Sequence, residues 1–510
     1  MASIRVTEVL AALSLTTDLA TGMPFEKGLS VCLVADAVAG RLGLDEPDRR
    51  VVFHAALLGA VGCTSRASEN AESYADDIAF QQAYHTLDPG DPGVFADQMR
   101  DFGSWSPLTQ AAMRDRFVTQ APQGAPIAVR SVCEVSRALG PRLGLPEAAV
   151  RALTEVKERW DGLGAPDRLS GEDLSLPGRI LHLAEQAVLA LGTRDRMAAV
   201  TELRRRAGGH LDPDLVAAFA AEPDAVWSVL DQPDLLTAVV AAEPGLPTVI
   251  RPEDRDHLCT AMAVIVDLKG RYLLGHSGHV AELSNAAAEL AGMNATDRAA
   301  LRAAALLHDI GRAAVSSAVW DRPGPLGPGD WERVRLHCYW TDRILRRCPS
   351  LSDLAEVASG HHERLDGSGY HRGVRVHDLS QSARLLAAAD VFAAMTEPRP
   401  HRPAHKPSEA AAHLSAEAAA GRLDREACAA VVEAAGLRPA RTEYPCGLTE
   451  REVDVLRLAA RGLSNRQIAA DLVVSERTVG HHLAHIYDKT GRRTRAGAAV
   501  FAMEHGLLPG

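Results

Sequence analysis

A chain of 510 residues is too long for one hydrophobic core and calls for roughly three or four folding units. With 46% hydrophobic, 24% charged and only 4% aromatic residues, its cores must be built from Ala, Leu and Val, which favours helix. The net charge of −11 excludes a generally basic nucleic-acid coat protein. The eight cysteines include no CxxC pair, which excludes a disulfide scaffold or zinc knuckle and points to reduced thiols in the cytoplasm.

Apolar residues recur at helical spacing from end to end, and no alternating run is flanked by hairpin turns, so the predicted fold is all-α. The chain begins with an amphipathic helix carrying Arg5, Glu8 and Asp18, unlike a signal peptide. The most apolar stretch, 51–63, contains His54 and falls short of the roughly 18 residues a membrane-spanning helix needs, so no membrane partner is expected. Breaks rich in Gly, Pro and acid fall at 88–93, 243–253, 323–329 and 397–407, the second being the domain-boundary candidate.

Laying EKGLSVCLVADAVAGRLGL (26–44) on GHSGHVAELSNAAAELAGM (275–293), and FHAALLGAVG (53–62) on RAAALLHDIG (302–311), reveals an internal repeat with one offset, 249. VRSVCEVSRAL (129–139) then matches VRLHCYWTDRIL (334–345), and ERWDGLG (158–164) matches ERLDGSG (363–369), at offset 205. Duplication of one helical unit, with a longer middle loop in the first copy, is the economical explanation.

Twelve of the 20 histidines lie between 257 and 413. Any one of them is more often a hydrogen-bonded or surface residue than a ligand. What lifts the signal is an ordered set: His276, His308-Asp309, His337, His361-His362 and Asp390, embedded in GHS, ALLHDIGR, VRLH, HHERLDGSGY and LLAAADVF. Several neutral imidazoles plus carboxylates that can bridge suit two or more divalent metals, which turn a water into hydroxide near neutral pH.

Together these motifs resemble the HD-GYP branch of the HD phosphohydrolase superfamily over about 165 residues, from Tyr272 to about Gly436. The resemblance implies a di-metal phosphodiesterase acting on a cyclic dinucleotide such as cyclic di-GMP, or on another phosphoester. It implies that Asp309 bridges the metals, that His276, His308 and Asp390 hold one, and that His337, His361 and His362 hold the other. Iron or manganese is the expected metal, with zinc the alternative. His308, Asp309 and Arg312 are the catalytic candidates, while Arg312, Arg399 and Arg402 are candidates to grip phosphate oxygens. The segment 366–369 should be a flexible loop that closes near the ligand. The chain departs from the family at Gly369-Tyr370-His371, where the family name implies Gly-Tyr-Pro. It departs again at Ala393, often acidic in relatives, and at Tyr272, where three-metal members carry Glu.

Carried back through the two offsets, the ligand positions become Lys27, Gly59, Ala60, Val132, Val156, Lys157 and Glu185, of which only Glu185 could ligate a metal. The first copy therefore reads as a degenerate twin that packs, senses or dimerises.

The segment 447–510 carries 9 Lys/Arg, 7 Asp/Glu and four histidines. Capping signals at Thr449 with Glu452, Ser464 with Gln467, and Ser475 lay out short helices over LTEREVDVLRLAARGLSNRQIAADLVVSERTVGHHLAHIYDKTG (448–491). This resembles the LuxR-type helix-turn-helix, with 493–507 as the fourth helix. The resemblance implies duplex DNA as partner, two paired subunits reading two half-sites, and Arg466, Arg477, Thr478, His481, His482 and Lys489 facing DNA. The expected layout is 1–245 degenerate HD-GYP-like, 246–437 catalytic HD-GYP, 438–446 linker and 447–510 helix-turn-helix. The expected protein is a cytoplasmic homodimer coupling phosphodiesterase activity to transcription. The alternative is a nucleotide-sensing LuxR-type transcription factor without significant turnover.

Overall fold

A computed structural model describes residues 3–86, 126–437, 444–460 and 463–492, with isolated positions between and beyond them. Among these the chain is helical, apart from a two-residue antiparallel pair of Ile4–Arg5 with Val249–Ile250. No helix among them is long and apolar enough to cross a membrane. The strand pair lies at the expected boundary, 243–253. There Arg50 also donates to the carbonyls of Pro244 and Leu246, and Arg5 pairs with Glu243 at 2.8 Å. The connection between the copies is thus clamped along its backbone.

The repeat extends to local chemistry. Helix Lys27–Arg41 recurs as His276–Leu290 with the same bounds shifted by 249, and Leu176–Leu191 recurs as Gln381–Thr396 shifted by 205. Caps recur too: Ser175 and Ser380 each accept from the third residue on, as do Asp45 and Asn294 at the starts of Glu46–Leu57 and Ala295–Leu307. Asp18 accepts from the Gly28 amide where Asp267 accepts from Ser277. Glu158 holds the amides of Asp167 and Leu169 just as Glu363 holds those of Arg372 and Val374. Gly62 and Gly311 mark one close crossing, where a side chain would meet the carbonyl of residue 132 or 337 at 2.4 or 1.9 Å.

The copies pack reciprocally. Helix Val6–Ala20 of the first meets the turn Ile310–Ala314 of the second, and its counterpart Asp256–Asp267 meets Cys63–Arg66. Helix Ala67–Tyr74 packs on Ser317–Trp320. Swapped equivalent contacts of this kind are the signature of an isologous dimer, built here within one chain. One apolar core, from Ile4 to Val432, runs through both copies without interruption.

The C-terminal module has its own core, with Leu448, Val453, Leu456, Ile468, Val479 and Ile486 buried as their spacing requires. All three caps form: Thr449 with Glu452, Ser464 with Gln467 in a capping box, and Ser475 accepting from the Thr478 amide. Most of the expected fourth helix, 493–507, lies outside the described residues. Ala498, Phe501 and Ala502 within it are helical and buried in this core. Residues 438–443 also lie outside them. Arg425 of the second copy pairs with Glu450 and sits 5.5 Å over the Tyr444 ring, joining the module to helix Arg425–Ala434.

Candidate metal centre

Five helical segments converge on one buried cluster. His276 opens helix His276–Leu290, His308 and Asp309 follow Ala295–Leu307, and His337 lies midway along Pro328–Arg347. His361 and His362 follow Ala355–Ser359, and Asp390 lies within Gln381–Thr396. All seven are buried except His362, whose side chain is 19% exposed.

Asp309 stands at the centre. Its Oδ2 lies 3.2 Å from His308 Nε2 and 3.6 Å from His276 Nε2, while its Oδ1 lies 3.5 Å from Nε2 of both His337 and His361. Asp390 Oδ1 joins the first set, 3.3 Å from His276 and 3.8 Å from His308; its Oδ2 is 4.0 Å from His362 Nδ1. One carboxylate thus presents its two oxygens to two different groups of imidazoles.

The imidazoles are aimed. Nδ1 of His308, His337 and His361 faces the backbone carbonyl three residues earlier, at 2.5–2.7 Å. A ring that donates there leaves Nε2 as the bare, inward lone pair. Nε2 of His276 and His308 and both oxygens of Asp309 are buried without a hydrogen-bond partner. A buried, ionised carboxylate whose oxygens accept no hydrogen bond, with the Arg312 guanidinium beside Oδ2 as its ion partner, is costly, and cations held by imidazole and carboxylate supply what is missing, so the residues fit divalent transition metals. Burial opposes ionisation of Asp309, yet Arg312 and the histidines hold it well below the usual carboxylate range. Burial likewise takes His337 down to about 3, which keeps a ligand-competent neutral ring.

Of the phosphate candidates, Arg312 lies 2.8 Å from Asp309 Oδ2 and 4.7 Å from the Trp320 ring centre, with its Nε unaligned for a hydrogen bond. Arg399 donates to the Tyr272 carbonyl and to Glu397. Arg402 departs from its expected role: it donates to the carbonyls of Ala394, Met395, Glu397 and Pro403, so its guanidinium closes the end of the Asp390 helix. The 366–369 segment is a structured turn, Asp366 accepting from the Ser368 amide and hydroxyl. Just beyond it Tyr370 stacks on His362 at 4.7 Å.

Three residues went unnoticed in the sequence. Glu397 accepts from Nδ1 of His276 at 2.8 Å and of His279 at 2.9 Å. Burial alone would raise its pKa, but the two histidines and Arg399 take it down to about 2. Its position seven residues, or two turns, after Asp390 was a usable signal. Cys338 brings its Sγ within 3.4 Å of His337 Nε2 and 3.9 Å of His361 Nε2. Nothing marked it, since adjacent helical residues diverge. Trp320 meets His337 edge-on at 5.8 Å.

At the equivalent site of the first copy, Lys27 Nζ pairs with Glu185 Oε1 at 2.6 Å, with His85 Nδ1 at 3.7 Å from the same oxygen. Burial lowers the Lys157 pKa, but Glu185, Cys63 and Tyr84 more than offset it. Burial raises that of Glu185, and Lys27, Lys157 and His85 draw it below the usual range. Two ammonium groups stand where the second copy has His276 and His362.

In the C-terminal module, Arg466, Arg477 and His481 are exposed on helices Asn465–Asp471 and Glu476–Thr490, with Thr478 and His482 half-buried. Thr478 shares its hydroxyl with the Ser475 cap at 2.8 Å. Lys489 departs from expectation: it donates to Glu452 at 2.7 Å and to the Gly447 carbonyl, tying helix Glu476–Thr490 to the first capping box.

The family model described as "HD domain" matches residues 132–215 and 260–427, touching both copies, and "Bacterial regulatory proteins, luxR family" matches 447–502. The chain is 30% identical over 446 residues to the 3'3'-cGAMP-specific phosphodiesterase 3 of Vibrio cholerae, covering 85% of this chain and 95% of that protein. A crystal structure of a cyclic GMP-AMP specific phosphodiesterase of V. cholerae superposes with a TM-score of 0.60 at 26% identity, over 86% of this chain and 99% of the other. The cyclic di-GMP phosphodiesterase of Thermotoga maritima is 39% identical over 129 residues, 25% of this chain and 35% of its own. The C-terminal region is 51% identical over 61 residues to the transcriptional regulatory protein YdfI of Bacillus subtilis, 12% of this chain and 29% of that protein. This chain belongs to the HD-GYP branch of the HD-domain family of metal-dependent phosphohydrolases and carries a luxR-family DNA-binding domain at its C-terminal end.

Proposed function

We propose that the second copy is a di-metal cyclic-dinucleotide phosphodiesterase, that the first copy holds no catalytic metal, and that the state of the pair biases DNA binding by the C-terminal module. The observation that carries this reading is the two-sided environment of Asp309, with its unpartnered oxygens facing His276, His308 and Asp390 on one side and His337 and His361 on the other. Iron or manganese, with zinc the alternative, would be held by His276, His308 and Asp390 and by His337, His361 and His362, with Asp309 shared. When bound, such metals lower the pKa of a water toward neutrality and neutralise charge on the phosphoryl oxygens. Arg312, braced on Trp320, offers guanidinium hydrogens to a phosphate oxygen beside Asp309. Tyr370, stacked on the partly exposed His362, covers that ring against bulk water.

The names of the relatives point to 3'3'-cGAMP or cyclic di-GMP as substrate. A second reading, nucleotide sensing without turnover, is favoured by Ala393, fully buried where relatives often present an acid. Protein reconstituted with manganese or iron should hydrolyse one of these cyclic dinucleotides and, more slowly, bis-p-nitrophenyl phosphate. Tight binding of a cyclic dinucleotide with no hydrolysis in metal-loaded protein would select the second reading.

Coupling to DNA follows a short route. Arg384, in the Asp390 helix, pairs with Asp424, the cap of helix Arg425–Ala434, and Arg425 reaches Glu450 and Tyr444. Paired subunits reading two half-sites would turn movement along this route into altered spacing of the recognition helices. DNA affinity measured with and without the cyclic dinucleotide, in protein shown to bind it, should differ; equal affinities would remove the coupling.

A further inference from the structure

We infer that Asp77, a residue of the first copy, is a positioning residue for the metal centre of the second. It acts through the segment that seats Trp320 against His337 and Arg312. This rests on the reading of the second copy as the metal-binding one.

Asp77 opens helix Asp77–Thr86 and is 1% exposed. Its Oδ1 accepts from the Ser317 amide and the Ser316 hydroxyl, both at 2.7 Å, and its Oδ2 receives Lys269 Nζ at 2.5 Å. Lys269 is itself 2% exposed, and its carbonyl accepts from Ser317 Oγ at 2.7 Å. All the groups that Asp77 holds belong to the second copy, and all are buried.

Ser316 is also the cap of the single turn Ser317–Trp320, too short to be stable alone. Its position is therefore set by what grips its start, together with helix Ala67–Tyr74, which packs on it. At its end, Trp320 meets the His337 ring edge-on at 5.8 Å and lies under the Arg312 guanidinium at 4.7 Å, and Arg312 reaches Asp309 at 2.8 Å. Few apolar contacts fix this turn: Val315, Val319 and Val334, with Trp320 and Leu326 against them, form a cluster of their own apart from the main core. A carboxylate from the degenerate copy is thus the anchor of a segment that touches one ligand candidate and the phosphate-binding candidate. Ligand-orienting contacts of this kind are commonly worth ten- to a hundredfold in metal affinity.

Removing Asp77 alone would strand the buried Lys269 charge, so the test uses double variants of the full chain. Asp77→Ala with Lys269→Met removes both charges and the oxygen acceptor; Asp77→Asn with Lys269→Met removes both charges but keeps an oxygen for Ser316 and Ser317. Manganese affinity of the apo-protein is read by equilibrium dialysis, alongside the melting temperature and turnover of bis-p-nitrophenyl phosphate. The alanine pair should bind manganese about tenfold more weakly, with kcat lowered and KM little changed, and the asparagine pair should recover most of the affinity at a similar melting temperature. Trp320→Phe should weaken manganese binding similarly, and adding the alanine pair to it should cost little more. Native affinity in a folded alanine pair, or equal losses in both pairs, would overturn the inference. Should the alanine pair fail to fold, Ser316→Ala removes one contact from the receiving side, and unchanged manganese affinity there overturns it equally. Manganese binding is read without substrate, so a protein that binds metal and hydrolyses nothing fails the proposed function while leaving this result intact.

Discussion

The two copies share a scaffold and differ in what fills it. Asp18 and Asp267, Glu158 and Glu363, and Gly62 and Gly311 do the same work in each, yet His276, His308, Asp309 and His337 are answered by Lys27, Gly59, Ala60 and Val132. The fold is therefore held by caps, buried carboxylates and close glycine crossings, none of which needs a metal. Where the second copy gathers imidazoles around carboxylate oxygens that accept no hydrogen bond, the first closes the equivalent space with Lys27, Glu185 and Lys157. Ammonium groups do in one copy the neutralising that cations are proposed to do in the other.

Removing the proposed ligands His308 and Asp309 together with Ala should produce the largest effect, a loss of turnover on the order of a thousandfold. Near-native turnover in that variant would end the distinction between a live and a degenerate copy.

Glu185→Gln tests the other side, because it leaves the buried Lys27 and half-buried Lys157 ammonium groups without their carboxylate. Destabilisation of about 3–5 kcal/mol in chemical denaturation is expected, with no change in metal content of the folded protein. A loss of metal would show that the first copy takes part in binding it.

Asp18 sharpens the comparison through pH. Burial, only partly opposed by Lys27 and the Gly28 amide, raises its pKa to about 7 from 3.8. The folded state then binds this proton more tightly than the unfolded state, so stability falls as pH rises from about 4 to 7 and levels off above. Relative to Asp18→Asn, the native chain should lose roughly 2–3 kcal/mol between pH 5 and 7. A parallel pH dependence in both proteins would show that Asp18 is not held protonated.

The smallest effects belong to the C-terminal module. Arg477→Ala should weaken DNA binding and lower the salt slope by about one. Lys489→Ala should instead lower the stability of the module, by on the order of 1 kcal/mol. A salt-slope change for Lys489→Ala equal to that for Arg477→Ala would return Lys489 to the DNA face.

The repeat, the seven clustered residues and the three caps were legible because each is a spacing in the chain. For Lys489 and Arg402, charge alone does not say whether a side chain meets a ligand or its own chain, and the structure gives them Glu452 and backbone carbonyls as partners. Glu397 was two turns from Asp390 and could have been found. Cys338, Trp320 and Asp77 could not: Cys338 and Trp320 meet residues brought to them by tertiary packing within the second copy, and the partners of Asp77 lie across the packing of the two copies, which no local pattern encodes.

Metals in one copy and ammonium groups in the other would be distinguished by anomalous X-ray scattering at the manganese or iron edge, from crystals of the reconstituted full chain. Two peaks are expected beside Asp309, one toward His276, His308 and Asp390 and one toward His337, His361 and His362, with none near Glu185. A peak between Lys27 and Lys157, or none beside Asp309 in protein that turns over substrate, would contradict the account.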